Sequence, residues 1–131
     1  MIAQQKNTNT KLPFSKAVAA NDFLFISGQV GLDATGTLVN NSFEAETNQV
    51  MKNIGELLEK EGLTFADLVS VTIYLKTMDN YHLINEIYTS YFTSALPARA
   101  CIAVADLPAK ANVEISAIAK IKKKIRPRTN R

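Results

Sequence analysis

The chain has 131 residues, of which 47% are hydrophobic, and it carries a net charge of +3 with a single cysteine and a single histidine. This length and composition suit one globular domain and exclude a disordered chain, an intrachain disulfide and a cysteine-based metal cluster, so we expect no metal. Because no stretch approaches the roughly 20 apolar residues of a membrane span and the first residues have no apolar signal core, we expect a cytoplasmic protein with no membrane partner.

The first predicted elements form a β-hairpin. Residues 23–29, Phe-Leu-Phe-Ile-Ser-Gly-Gln, have the aromatic and aliphatic composition of a strand, and we expect both faces of this strand to be buried. Residues 15–19 are short enough to pair with it across a turn at Asn21-Asp22. The Gly-, Asp- and Asn-rich residues 31–41 then predict a loop.

A first helix is predicted to begin where this loop ends. Asn41 followed by Glu44 has the spacing of a capping box, in which both side chains satisfy exposed backbone N–H groups. Apolar residues then recur at three- and four-residue spacing and form one stripe: Phe43, Val50, Met51, Ile54, Leu57 and Leu58. Glu61-Gly62 supplies a C-terminal stop. Gly55 lies inside the helix at a cost of about 1 kcal/mol relative to alanine, which suggests close backbone packing.

The next elements are a strand and a second helix. Residues 69–76 alternate between apolar and polar side chains, which is typical of a strand with one core-facing side. Asp79 can cap the second helix, which ends before Leu96-Pro97. The apolar residues of this helix fall on one face: Ile84, Ile87, Tyr88 and Tyr91. His82, in its first turn, is most simply a surface or capping residue.

The C-terminal third predicts two more strands, residues 99–105 and 113–121, which we expect to pair as a hairpin through the loop 106–112. The element order is then β-β-α-β-α-β-β in a single α+β domain, residues 1–121, with a mixed sheet and both helices on one face. No third layer is left to cover the other sheet face. An uncovered apolar face predicts self-association.

Two polar residues interrupt the apolar pattern of these last strands. Alternation places Arg99 and Cys101 on one face of the first strand, where burying a guanidinium is costly unless an acidic group satisfies it. In the second strand the apolar face leaves Glu114, Ser116, Ile118 and Lys120 on the other face, and Glu114 is its acidic residue. One interpretation is a structural Arg99–Glu114 ion pair between adjacent strands. The other is a site in which Arg99 binds a substrate carboxylate through two parallel hydrogen bonds while Glu114 orients or deprotonates a water.

Cys101 has a structural interpretation of its own, as a small packed residue with an inert thiol. Nucleophilic catalysis by a Cys-His pair lacks support, because the one histidine belongs to a distant helix start. The backbone N–H of Cys101 could still donate to a carboxylate bound at Arg99.

The last ten residues, 122–131, contain six basic residues and no acidic residue. Without this basic C-terminal tail the chain keeps nine basic and twelve acidic residues, a net charge of −3. Such a tail can bind nucleic acid or an anionic surface, but a terminal run of like charges is more often solvated.

Six groups of residues form a recognisable pattern: LPFSKAV at 12–18, FISGQ at 25–29, NEIY at 85–88 with YF at 91–92, PARAC at 97–101, LP at 107–108 and VEI at 113–115. With these motifs, nearly the whole chain resembles the Rid family, also called the YjgF family, whose founding subgroup comprises reactive intermediate deaminases. The motifs are specific together, although none of them would suffice singly.

This resemblance implies a homotrimer with a chorismate-mutase-like fold, in which the sheets face one another and three ligand clefts lie between subunits. It also implies hydrolysis of 2-imino acids such as 2-iminopropanoate and 2-iminobutanoate to 2-oxo acids and ammonia. The 2-imino acids are tautomers of reactive enamines such as 2-aminoacrylate. No cofactor is needed for this reaction.

Site residues follow from the resemblance position by position. Arg99 matches the arginine that binds the imino-acid carboxylate, helped by the backbone at Cys101, and Glu114 matches the glutamate that positions the attacking water. Three further residues match positions that line the cleft: Ser27, Gly28 and Asn85. These three also have structural interpretations, as strand-end packing and as a helix-surface amide.

Phe14 departs from the pattern of the family, which usually has tyrosine at this position. The ring is kept and the hydroxyl is lost, so one polar contact to substrate or water is absent. A hydrogen bond typically contributes on the order of 1 kcal/mol, and activity could survive with an altered rate or a preference for a larger substrate side chain.

Two other functions stay open at this point. The loss of the hydroxyl at Phe14 favours a non-catalytic regulatory module that binds 2-oxo acids with the same arginine. The basic tail favours RNA binding or cleavage, because some members of the family are described as translation inhibitors with ribonuclease activity.

Overall fold

The computed structural model describes residues 12–122, in which five strands and two α-helices follow in the predicted order. The elements are β1 Ala17–Ala20, β2 Phe23–Gln29, α1 Phe43–Lys60, β3 Leu68–Leu75, α2 Tyr81–Thr89, β4 Ala98–Ala103 and β5 Val113–Lys120. The prediction of a single α+β domain with a mixed sheet and two helices is confirmed. Most of the basic tail, residues 123–131, lies outside the described residues, and Lys122 places its Nζ 3.7 Å from the carboxylate of Asp67.

The sheet has the strand order β1-β2-β5-β3-β4, and β4 runs parallel to β3 while the other neighbours are antiparallel. The predicted hairpin of the last two strands is therefore wrong, because β5 lies between β2 and β3. Burial explains this order. The inward side chains of β5 are almost fully enclosed, from Val113 to Ala119, whereas the small residues of β4 are half-buried or exposed. The more apolar strand takes the centre and the less apolar strand takes the edge.

The hairpin of β1 and β2 is confirmed, with Asn21 in the left-handed region at its turn (φ 53°). The expectation that β2 is buried on both faces is wrong. Leu24 and Ile26 are buried, whereas Phe23 and Phe25 are 38% and 44% exposed. Both helices cover the face of Leu24 and Ile26, so the opposite side of the strand has no cover within residues 12–122.

Helix α1 buries the predicted stripe, with Phe43 half-buried at its edge, and ends at Lys60, followed by the C-cap Glu61 and by Gly62 at φ 73°. Its cap differs from the prediction, because Ser42 rather than Asn41 accepts the backbone N–H of Ala45 at 3.0 Å. Gly55 is closely packed as expected: a Cβ there would lie 3.2 Å from the Phe65 ring.

Helix α2 begins later and ends earlier than predicted. Asp79 does not cap it; the hydroxyl of Thr77 accepts the Asp79 backbone N–H at 3.1 Å and starts a short 3-10 turn before Tyr81. The helix ends at Thr89, well before Leu96. His82 is exposed and lies 3.2 Å from Glu86, so its assignment to the surface is confirmed.

The face of the sheet without helices, called the open face below, carries several exposed apolar side chains. Its exposed large side chains include Val18, Phe23, Phe25 and Ile102, each between 38% and 49% exposed. Val18, Phe25 and Ile118 stand side by side in the strand register. An exposed apolar surface of this kind indicates an interface.

A buried carboxylate on the helix side was not predicted from the sequence. Glu46 is fully buried, and its two oxygens accept the backbone N–H and the side-chain amide of Asn112 at 2.7 and 2.9 Å. This pair fixes the end of the 104–112 connection immediately before β5 begins. In the sequence, Glu46 is only an acidic residue in the first turn of a helix, where acidic residues are common because they interact favourably with the helix N-terminus. The sequence therefore carries no specific sign that this carboxylate is buried.

Candidate functional site

Arg99 lies at the edge of the sheet, on the side that carries the helices. It is aligned with Val71 of β3, whose side chain is buried in the core. The Arg99 Nη2 donates to the side-chain oxygen of Asn85 in α2 at 2.7 Å. The guanidinium carbon also lies over two aromatic rings of α2, 5.1 Å from the Tyr88 centroid and 5.8 Å from the Tyr81 centroid. Arg99 and Asn85, two of the residues predicted for the site, are therefore in contact within a single chain.

Glu114 lies on the open face, opposite to Arg99. Its register partner on β3 is Tyr74, while the partner of Arg99 is Val71, and residues three apart on a strand project from opposite faces. Strand β3 also separates the two strands that carry them. The interpretation of Arg99 and Glu114 as an ion pair between adjacent strands is therefore wrong, because it relied on the hairpin that does not form.

Gly28 makes room for the Glu114 carboxylate. A Cβ on Gly28 would lie 2.8 Å from the Glu114 carboxyl carbon and would overlap one of its oxygens. The register shifts between Ile26 and Gln29, so Gly28 sits in an irregular part of β2. Burial raises the pKa of Glu114 above the ordinary value for a glutamic acid. Two of the predicted site residues, Gly28 and Glu114, thus touch each other.

Ser27 precedes Gly28 in β2, and Phe14 lies in the segment next to this part of the strand. The Ser27 hydroxyl donates to the Ser15 carbonyl at 2.7 Å, which ties the segment that carries Phe14 to β2. Phe14 is 47% exposed and lines a cleft of about 340 Å³ together with Gly28 and the polar side of α1. Because the Ser27 hydroxyl donates its hydrogen to Ser15, it could contact a ligand only as an acceptor, through the lone pairs of its oxygen.

Cys101 is half-buried on the face of Arg99 and packs against the core. Burial raises the pKa of its thiol, and the nearby Arg99 charge only partly offsets that effect. The thiol is thus protonated at neutral pH and is a poor nucleophile. This agrees with the interpretation of Cys101 as an inert side chain.

The predicted residues therefore form two clusters. We call Arg99, Asn85, Cys101, Tyr81 and Tyr88 the arginine cluster, and Gly28 with Glu114 the carboxylate cluster. The two tyrosines were not proposed as site residues. Their signal in the sequence is the spacing 81, 85 and 88, which places them with Asn85 along one side of a helix.

These features define a small α+β domain with a half-buried arginine on one face of its sheet and a half-buried glutamate on the other. A family model described as Endoribonuclease L-PSP matches residues 4–121. The chain belongs to this family, whose members include the Rid proteins. No helix within residues 12–122 is long and apolar enough to cross a bilayer.

Curated relatives cover most of the chain. A mouse protein named 2-iminobutanoate/2-iminopropanoate deaminase is 45% identical over 82% of this chain and 80% of its own length. A protein of the RutC family from Pyrococcus horikoshii is 42% identical over 82% of this chain and 86% of its own. An Arabidopsis thaliana protein named Reactive Intermediate Deaminase A, chloroplastic, is 42% identical over 91% of this chain and 64% of its own.

Solved structures of the family have the same fold. A Rid-family protein of unknown function from Yersinia pestis has a TM-score of 0.82 at 37% identity, over 92% of this chain and 98% of its own. RidA from an Antarctic Psychrobacter has a TM-score of 0.80 at 31% identity, over 86% of this chain and 91% of its own. The predicted membership of the Rid family is thus confirmed.

Proposed function

We propose that this protein hydrolyses 2-imino acids, the tautomers of reactive enamines, to 2-oxo acids and ammonia. The observation that carries the proposal is the half-buried Arg99, whose guanidinium has one edge satisfied by Asn85 and which faces no carboxylate within residues 12–122. A guanidinium held in this way is suited to a planar carboxylate ligand. The deaminase names of relatives at 41–45% identity support the same reaction.

The active site is completed by a second copy of the chain. Within one chain the two clusters lie on opposite faces of the sheet, so one small substrate cannot contact both Arg99 and Glu114. The apolar open face supplies the surface for self-association, and Glu114 lies on that face. A homotrimer, as the resemblance implies, would place the carboxylate cluster of one subunit against the arginine cluster of its neighbour.

The reaction would then divide between the clusters. Arg99 binds the substrate carboxylate and fixes the imine carbon near Glu114. The protonated imine is the form attacked. The Glu114 carboxylate accepts a proton from water as the water oxygen bonds to the imine carbon and the C=N π electrons move to nitrogen, giving a neutral carbinolamine. Glu114 returns that proton to nitrogen, the C–N bond breaks as the hydroxyl oxygen forms the carbonyl, and the hydroxyl proton passes to water, which releases ammonia and the 2-oxo acid. Because imines hydrolyse spontaneously, positioning and general-base help are sufficient catalysis.

The proposal is tested with an enamine generated in situ by a pyridoxal-phosphate lyase acting on serine or threonine. Wild-type protein should accelerate release of pyruvate or 2-oxobutanoate beyond the spontaneous rate, in proportion to its concentration. Tight binding of 2-oxobutanoate in calorimetry without acceleration of any imine would contradict deamination and favour the non-catalytic binding module.

The pH dependence of this activity should reflect Glu114. Burial raises its pKa in the folded protein, and only the ionised form can accept a proton from water. The enzyme-dependent part of kcat/KM should therefore fall as pH decreases, with a midpoint above 4.5, the ordinary value for a glutamic acid. The profile is measured after subtracting spontaneous hydrolysis at each pH.

Glu114→Gln is the matched control, since it keeps the shape of the side chain and cannot ionise. Its residual rate should show no acidic limb. An unchanged limb in Glu114→Gln would assign the titration to another group.

Phe14 provides a further test of the cleft. Phe14→Tyr would add a hydroxyl to an exposed ring that lines the same cleft as Gly28. One new hydrogen bond to the substrate or to water should raise kcat/KM about fivefold to tenfold. We expect kcat/KM for the smallest imine, 2-iminopropanoate, to rise by that factor in the coupled assay. An identical rate for the two proteins would place the ring outside the reach of the substrate.

A further inference from the structure

Helix α2 presents three side chains to the Arg99 guanidinium, at helix positions i, i+4 and i+7. Asn85 accepts its hydrogen bond at 2.7 Å, and the rings of Tyr81 and Tyr88 lie 5.8 and 5.1 Å from its carbon atom. Both ring distances are within the range of cation–π attraction. The spacing 81, 85 and 88 puts all three side chains on one side of the helix. A single element, α2, therefore positions all three contacts of the Arg99 guanidinium.

We propose that Tyr81 and Tyr88 are positioning residues that clamp the guanidinium of Arg99 between them, so that its free N–H edge is already oriented before a ligand carboxylate arrives. This inference rests on the proposed function, in which Arg99 binds the substrate carboxylate. An unrestrained arginine side chain has many rotamers, and ordering it on binding weakens affinity. With Asn85 bonded to one Nη, the rings restrict the remaining freedom of the group.

The two tyrosines approach Arg99 from different environments. Tyr88 is 2% exposed and belongs to the hydrophobic core, so it supports the guanidinium from the inside. Tyr81 is 41% exposed and lies in the first turn of α2, so it covers the guanidinium from the solvent side. In the proposed clamp, the guanidinium lies between a buried ring and an exposed ring, which would leave only its edges accessible to an anion.

Tyr88 contributes its ring rather than its hydroxyl. The hydroxyl is buried and has no hydrogen-bond partner within residues 12–122. Burial raises the pKa of Tyr88 to about 12, against the lowering effect of Arg99, so the hydroxyl is uncharged at neutral pH. Tyr88→Phe is therefore a matched control that removes the oxygen and keeps the face of the ring.

The first experiment measures the motion of Arg99 and needs no turnover. In ¹⁵N-labelled protein the Arg99 side-chain signal, assigned by its loss in Arg99→Lys, should report slow rotation in the wild type and in Tyr88→Phe. Tyr81→Leu and Tyr88→Leu should accelerate it at least about tenfold, as expected from loss of a favourable ring contact. If Tyr88→Leu does not fold, Tyr81→Leu decides the test, because Tyr81 is exposed and its replacement leaves the core intact.

The second experiment measures affinity for 2-oxobutanoate by calorimetry. Tyr81→Leu and Tyr88→Leu should weaken binding about tenfold, and in the deaminase assay they should raise KM by the same factor with kcat within about twofold. Unchanged Arg99 motion and unchanged affinity in folded leucine variants would overturn the clamp. An equal defect in Tyr88→Phe and Tyr88→Leu would assign the effect to the hydroxyl and would also overturn it.

The two proposals fail in different ways. Absence of deaminase activity with a restrained Arg99 and tyrosine-dependent binding of 2-oxobutanoate would reject the reaction and retain the clamp. Normal activity with a freely rotating Arg99 in the wild type would retain the reaction and reject the clamp.

Discussion

Arg99→Ala is expected to lower kcat/KM for 2-iminobutanoate by about a thousandfold, measured as the enzyme-dependent release of 2-oxobutanoate in the lyase-coupled assay. Two charge-assisted hydrogen bonds to a carboxylate contribute about 2 kcal/mol each, and about 4 kcal/mol corresponds to this factor. Arg99 is the only cation that contacts Asn85 and the two tyrosines of the arginine cluster among residues 12–122.

Two variants accompany this measurement. Arg99→Lys keeps the charge and loses the planar fork, so we expect an intermediate loss of about tenfold to a hundredfold. Lys76→Ala removes an exposed cation that follows β3 and does not line the cleft of Phe14 and Gly28, and it should change kcat/KM by less than about twofold. Equal acceleration by Arg99→Ala and the wild type would reject the carboxylate-anchoring role of Arg99 and, with it, the proposed function.

Local patterns in the sequence were sufficient for most elements of the fold. The alternation in β3, the apolar stripe of α1 and the Asn21-Asp22 turn each depend on residues close in the chain, and each is present in the structure. The errors at helix ends have a local cause too. Ser42, one residue after Asn41, accepts the N–H of Ala45, and Thr77, two residues before Asp79, accepts the N–H of Asp79 and begins a 3-10 turn before α2. Polar side chains one or two positions apart are equally good caps by their type, so the sequence does not distinguish them.

Strand order could not be read in the same way, and the site depends on it. Nothing local to residues 98–121 shows that β5 pairs with β2 and β3 and leaves β4 at the edge. The partners of β5 are distant in sequence, and burial summed over the whole sheet decides among them. The assumed hairpin placed Arg99 and Glu114 on neighbouring strands. With the observed order, the same two residues lie on opposite faces, and only association of chains can bring them together.

Gly28→Ala is expected to remove most of the activity while leaving Arg99 untouched. A Cβ at position 28 would overlap the Glu114 carboxylate, so that side chain must move by about an ångström or more. A displacement of this size at a reacting group typically costs about a hundredfold in rate. The added methyl group also overpacks the contact, which should lower the free energy of unfolding by about 1–3 kcal/mol. We therefore expect a hundredfold lower kcat with the affinity for 2-oxobutanoate retained within about threefold, since that affinity depends on Arg99.

Gly55→Ala is the matched control, because it makes the same substitution where the nearest atoms belong to the Phe65 ring, 3.2 Å away, and it improves helix propensity. It should leave kcat unchanged. In a double-mutant cycle, Glu114→Ala should restore much of the stability lost in Gly28→Ala, because it removes the carboxylate that the new methyl group displaces, and it should restore none of the activity. A Gly28→Ala protein with wild-type kcat would show that the contact between Gly28 and Glu114 does not set the position of the catalytic base. Additive effects of the two substitutions on the free energy of unfolding would show that the new methyl group is accommodated without displacing the Glu114 carboxylate.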